Sequence, residues 1–163
     1  MKNTSLIPFL FLVPVLILQV SLIPFLSLNG ISPDLVLILL VFYTIRNNQM
    51  YGTITGFIFG GISDLVFGTI LGSSMIAKTV SGFIAGYFSS ENKRDEYLTP
   101  INFGLIIFLI GIIDNSIFAF FSSFDLSENF ISSLLTNTIL KSVYTSVLSI
   151  LMIIVIPKRR MFE

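Results

Sequence analysis

Residues 52–72 read GTITGFIFGGISDLVFGTILG. The stretch is apolar enough to sit in lipid, yet glycines stand at Gly52, Gly56, Gly60, Gly68 and Gly72, and Asp64 fills the one gap in that four-residue step. Small residues four apart let two membrane helices bring their backbones close together. A carboxylate inside such a segment costs roughly 3 kcal/mol on insertion scales, so it is expected to face protein and to have a partner. The stretch therefore reads as a transmembrane helix packed tightly against a second helix that supplies a cation.

The next residues provide that second helix. They run GSSMIAKTVSGFIAGY from Gly72 to Tyr87, with Lys78, Gly82 and Gly86 repeating the four-residue step. In an antiparallel hairpin centred on Leu71, residues whose numbers total 142 face each other. That register predicts Asp64 opposite Lys78, Gly60 opposite Gly82 and Gly56 opposite Gly86. A second charge pair, Asp114 and Lys141, falls in later apolar runs at a looser register. A lysine stem can extend toward water, and Asn115, Thr138, Ser142, Tyr144 and Thr145 offer intervening hydrogen bonds. Two roles fit the four charges. They are either internal ties that fix helix register, or a proton or ion pathway or ligand pocket in the outer half of the bundle. Equal numbers of both signs favour mutual neutralisation and so the first role.

Composition extends this picture to the whole chain. Of 163 residues, 54% are hydrophobic and 11% charged, too little polar surface for a water-soluble domain. The apolar runs are about the ~20 residues needed to cross a bilayer, and they predict an all-α integral membrane protein, a single polytopic domain over residues 1–163 with spans at about 6–28, 33–46, 52–71, 73–88, 100–121 and 130–156. The first run follows Lys2, contains Pro8, Pro14 and Pro24, and is too long for a signal peptide, with no clear cleavage site. It is expected to remain as a helix, since membrane neighbours re-satisfy the carbonyls that proline frees. The second is short. Ser32-Pro33-Asp34 makes a helix start with a Ser cap, Pro at the first position and Asp in the first turn. From there to Arg46 the helix reaches only ~21 Å, so it extends through Met50, thins the bilayer or fails to cross.

Lysine and arginine set the orientation. With the N-terminus inside, the inner segments hold Lys2, Arg46, Lys93, Arg94, Lys158, Arg159 and Arg160, while the outer loops SLNGIS, Leu71 to Ser73 and SSFDLSEN hold none. Tyr43, Tyr51, Tyr87 and Tyr97 flank the same inner loops, at headgroup depth. Both termini are thus expected in the cytoplasm.

Many functions are excluded. The formal net charge is zero, which gives nucleic acid nothing to bind. With no Cys and no His, thiolate and Ser-His-Asp chemistry are absent and no metal or other cofactor is expected. No Gly-Lys-Ser/Thr follows the glycines, so they are not a phosphate loop. ENKRDE at 91–96 reads as a solvated inner loop, and KRR at 158–160 as a topology anchor and a contact for anionic lipid or a cytoplasmic partner. No enzyme site emerges.

Residues 32–91 resemble the rod shape-determining protein MreD family. The matching elements are Pro33, Gly56-Phe57, Gly60-Gly61, Asp64, Leu71-Gly72 and Gly82/Gly86-Tyr87. The resemblance implies a six-helix bundle similar to the substrate-binding components of energy-coupling-factor transporters. It implies a non-enzymatic scaffold in the bacterial inner membrane, docking MreC within the elongation complex of MreB, RodA and a class B penicillin-binding protein, and so serving peptidoglycan synthesis and cell shape. It supplies no catalytic residues. The competing expectation from another class is a vitamin-binding transporter component, against which stand short outer loops and the absence of Trp and His.

Overall fold

Asp34, rather than Ser32, opens the short second helix. Its backbone is extended, and its side chain accepts a hydrogen bond from the Leu37 N–H, so it is the N-cap itself. The helix runs Leu35–Arg46, about 18 Å long. It is buried on almost every side, with Val36, Leu37, Leu40, Val41 and Ile45 fully enclosed. Such all-round apolar character suits the centre of a bundle.

The computed structural model describes residues 7–21, 27, 31–122 and 130–155. Among these are seven α-helices and no strand: α1 (Ile7–Ser21), α2 (Leu35–Arg46), α3 (Gln49–Phe67), α4 (Ser73–Ala85), α5 (Arg94–Tyr97), α6 (Pro100–Ser122) and α7 (Phe130–Val155). Two helices, Gln49–Phe67 and Pro100–Phe121, are long and apolar enough by themselves to cross a membrane. Shorter apolar helices accompany them at Leu10–Ser21, Leu35–Arg46 and Thr138–Ile154. Residues 22–26 and 28 of the expected first span, half of the SLNGIS loop (28–30), residues 123–129, Lys2 and the KRR cluster lie outside the described residues.

Around α2 the other long helices pack in chain order, α3 against α4, α4 against α6 and α6 against α7, while α1 leans mainly on α2. One apolar core joins α2 to α6 through Leu37, Val41, Ile45, Phe103, Ile107 and Ile110. A smaller one seats Leu12 and Leu16 of α1 on Val36, Leu40 and Phe59. The outward side of α1 is exposed and apolar around Leu10, Val13 and Ile17, all more than half exposed.

The α3–α4 hairpin departs from the expected register. A side chain at Gly52 would strike the Gly82 carbonyl, one at Gly56 the Lys78 carbonyl, and one at Gly60 the backbone of Ser74 and Met75. Facing residues thus total 134 instead of 142, a slide of eight residues or about 12 Å. As a result α3 overshoots the start of α4 by about six residues, or ~9 Å. Gly68 and Gly72, expected as packing glycines, are turn residues instead. They have φ of 64° and 103°, and a Cβ on either would meet nothing within 4 Å. A left-handed backbone is what lets the chain reverse just past the end of α3.

Candidate functional site

The slide separates the two residues expected to pair. Lys78 now lies level with Gly56, about 12 Å along the helix axis from Asp64, so no Asp64–Lys78 ion pair forms. Asp64 faces the N-terminus of α4, whose N-cap Gly72 has no side chain with which to cap it. It accepts the N–H groups of Gly72 at 2.9 Å, Ser74 at 3.1 Å and Met75 at 3.3 Å. The Thr69 hydroxyl donates at 2.7 Å and the Ser73 hydroxyl at 3.4 Å. A helix start exposes unpaired N–H groups and the positive end of its dipole, and a buried carboxylate satisfies both. Asp64 is a cap supplied from the neighbouring helix.

Lys78 is 4% exposed and finds its counter-ions elsewhere. Its ammonium donates to Asp34 Oδ2 at 2.6 Å and to Asp114 Oδ2 at 3.4 Å. Asp34 meanwhile uses Oδ1 to cap α2, and Asp114 Oδ1 accepts the Ser81 hydroxyl at 3.0 Å. The Asp34 N–H donates to Thr145 Oγ1 at 3.1 Å, which carries the network to α7. Further out, Asn115 Nδ2 donates to the Gly111 carbonyl and to Ser142 Oγ at 3.3 Å. One lysine thus joins α2, α4 and α6, and the surrounding hydroxyls join α7.

The expected Asp114–Lys141 pair does not form either. Asp114 is taken by Lys78, and the Lys141 ammonium lies 5.7 Å from the centre of the Phe118 ring. The intervening groups are also used differently, since Asn115 and Ser142 bond to each other and Thr145 serves Asp34. Lys141 forms no ion pair among the described residues. It lines a cavity of about 590 Å³ together with Asp34, Lys78, Asp114, Asn115 and Phe118.

Asp34 is the residue the sequence reading assigned only to a helix start. The available signal was the apolar character of the segment it opens: a carboxylate at the head of a 12-residue helix that is buried in the bundle needs a cation. The glycines answer a second question. Gly52, Gly56, Gly60 and Gly82 press against their own hairpin partner, and Gly86 presses against Gln49, so this groove is filled from within the chain and is closed to a partner helix.

No curated protein and no solved structure gives a significant match to the chain. The family model described as rod shape-determining protein MreD matches residues 1–159 of the 163-residue chain, and the chain therefore belongs to the MreD family.

Proposed function

We propose that this chain is a multi-pass scaffold of the bacterial inner membrane that docks MreC and helps position peptidoglycan synthesis alongside MreB, RodA and a class B penicillin-binding protein. Family membership over residues 1–159 carries the proposal, since it supports a role in determining rod shape. In this proposal α1, α2, α3, α4, α6 and α7 are the six crossings, with both termini cytoplasmic, in a bundle like the substrate-binding components of energy-coupling-factor transporters. The role is structural and not catalytic.

The geometry suits a rigid docking body. Glycine contacts clamp α3 to α4, and a buried lysine joins three helices. Because the glycine groove is occupied internally, the docking surface belongs on the outward apolar faces, such as that of α1 around Val13 and Ile17. Affinity purification of the tagged protein in mild detergent tests the proposal. MreC is expected to co-elute near stoichiometric yield. Recovery of the folded chain with no cell-wall partner contradicts it.

A further inference from the structure

The cavity beside Lys78 has a charge pattern that the internal ties leave incomplete. Asp34 and Asp114 share the one ammonium in direct contact with them, and the balancing positive charge is that of Lys141, which acts on both carboxylates across the cavity but forms no ion pair with either among the described residues. Each carboxylate accepts two hydrogen bonds, about half of what its two oxygens can take. The Lys141 ammonium itself rests on the Phe118 ring, out of direct contact with those carboxylates. A cation at membrane depth is normally met by an anion in direct contact, a contact that the cavity leaves open at Lys141. Val66 and Phe67, also lining the cavity, remain 48% and 41% exposed, which leaves apolar surface for a ligand to cover. The volume of about 590 Å³ falls within the ~300–1,000 Å³ typical of small-molecule sites.

We propose that this cavity binds a zwitterion carried on an apolar body. Its ammonium group faces the spare lone pairs of Asp34 and Asp114, its anionic group meets Lys141, and its apolar part lies on Val66 and Phe67. A net-neutral ligand of this kind completes both poles without adding charge to the bundle. The same chemistry is found in the headgroup of phosphatidylethanolamine and in a free amino acid with an apolar side chain.

Native mass spectrometry of the full-length protein, released from detergent after incubation with phosphatidylethanolamine, phosphatidylglycerol or free leucine, separates these sources. Retention of phosphatidylethanolamine about tenfold above phosphatidylglycerol identifies a lipid headgroup, and retention of leucine with neither lipid identifies a free zwitterion. In either case Lys141→Gln is expected to reduce retention to the phosphatidylglycerol level. Phe118→Leu, which leaves every charge in place, is expected to weaken it about threefold and keeps the test valid if the first variant fails to fold. Equal or greater retention of phosphatidylglycerol, no retention of any probe, or retention unaffected by both substitutions overturns the proposal.

Discussion

Replacing Lys78 with methionine tests the buried network directly. The substitution keeps most of the stem volume and removes the ammonium, leaving Asp34 and Asp114, at 6% and 3% exposure, without the counter-ion that contacts them. Removing one partner of a buried ion pair costs about 3–5 kcal/mol, because the charge left behind has lost its compensation. Lys78→Met is therefore expected to lose that amount in a titration with sodium dodecyl sulfate in mixed micelles, read by circular dichroism. Asp34→Asn separates the two jobs of its carboxylate, since asparagine caps a helix about as well as aspartate and only the ion pair is lost. The triple variant Asp34→Asn, Lys78→Met, Asp114→Asn removes all three charges together and is expected to recover most of the loss. A double-mutant cycle between Asp34→Asn and Lys78→Met should show a coupling above about 1 kcal/mol, whereas Asp64→Asn and Lys78→Met should add within about 0.5 kcal/mol. Strong coupling of Lys78 to Asp64 with none to Asp34 would refute both the hairpin register and the triad.

Exchanging the charges, Asp64→Lys with Lys78→Asp, should yield no more folded protein than either single change, measured by fluorescence-detected gel filtration, because the two residues serve different partners. Asp64→Ala alone should cost about 0.5–2 kcal/mol through loss of the α4 cap, read in the same detergent titration. Since the chain has no native cysteine, oxidative crosslinking is expected to join Gly61→Cys to Met75→Cys, whose side chain lies 3.4 Å from a Cβ at Gly61, and to leave Gly61→Cys with Ser81→Cys unjoined. Gly56→Ala meets the Lys78 carbonyl and should cost up to about 3 kcal/mol by overpacking, whereas Gly68→Ala has open space and should cost only the ~1–2 kcal/mol of a left-handed backbone. Thermal unfolding of the two variants compares them.

Much of the architecture was legible because it follows from local composition. The glycine step at Gly52, Gly56 and Gly60 named a tightly packed helix, and its repeat at Gly82 and Gly86 named the partner. The phase of that pairing was not legible. A ladder with a four-residue step fits equally well after sliding by two steps, and the observed register differs from the expected one by eight residues. The charges depended on that phase, so Asp64 and Lys78 were assigned to each other when one caps α4 and the other joins α2 to α6. Gly68 and Gly72 continued the ladder in sequence, but the helix had already ended at Phe67. The tie between Asp34 and Lys78 spans 44 residues and involves no local periodicity, so only the three-dimensional arrangement of α2 reveals it.

Photocrosslinking in growing cells tests the scaffold claim most directly. A photoreactive phenylalanine analogue is placed in turn at outward apolar positions such as Val13 and Ile17 on α1, Ile54 and Phe57 on α3, Leu105 and Leu109 on α6, and Val147 and Leu151 on α7. The account predicts that MreC is captured from neighbouring positions on one helix face, and that the buried position Phe59 captures none. Absence of MreC from every outward face of a protein that still supports rod growth would contradict it.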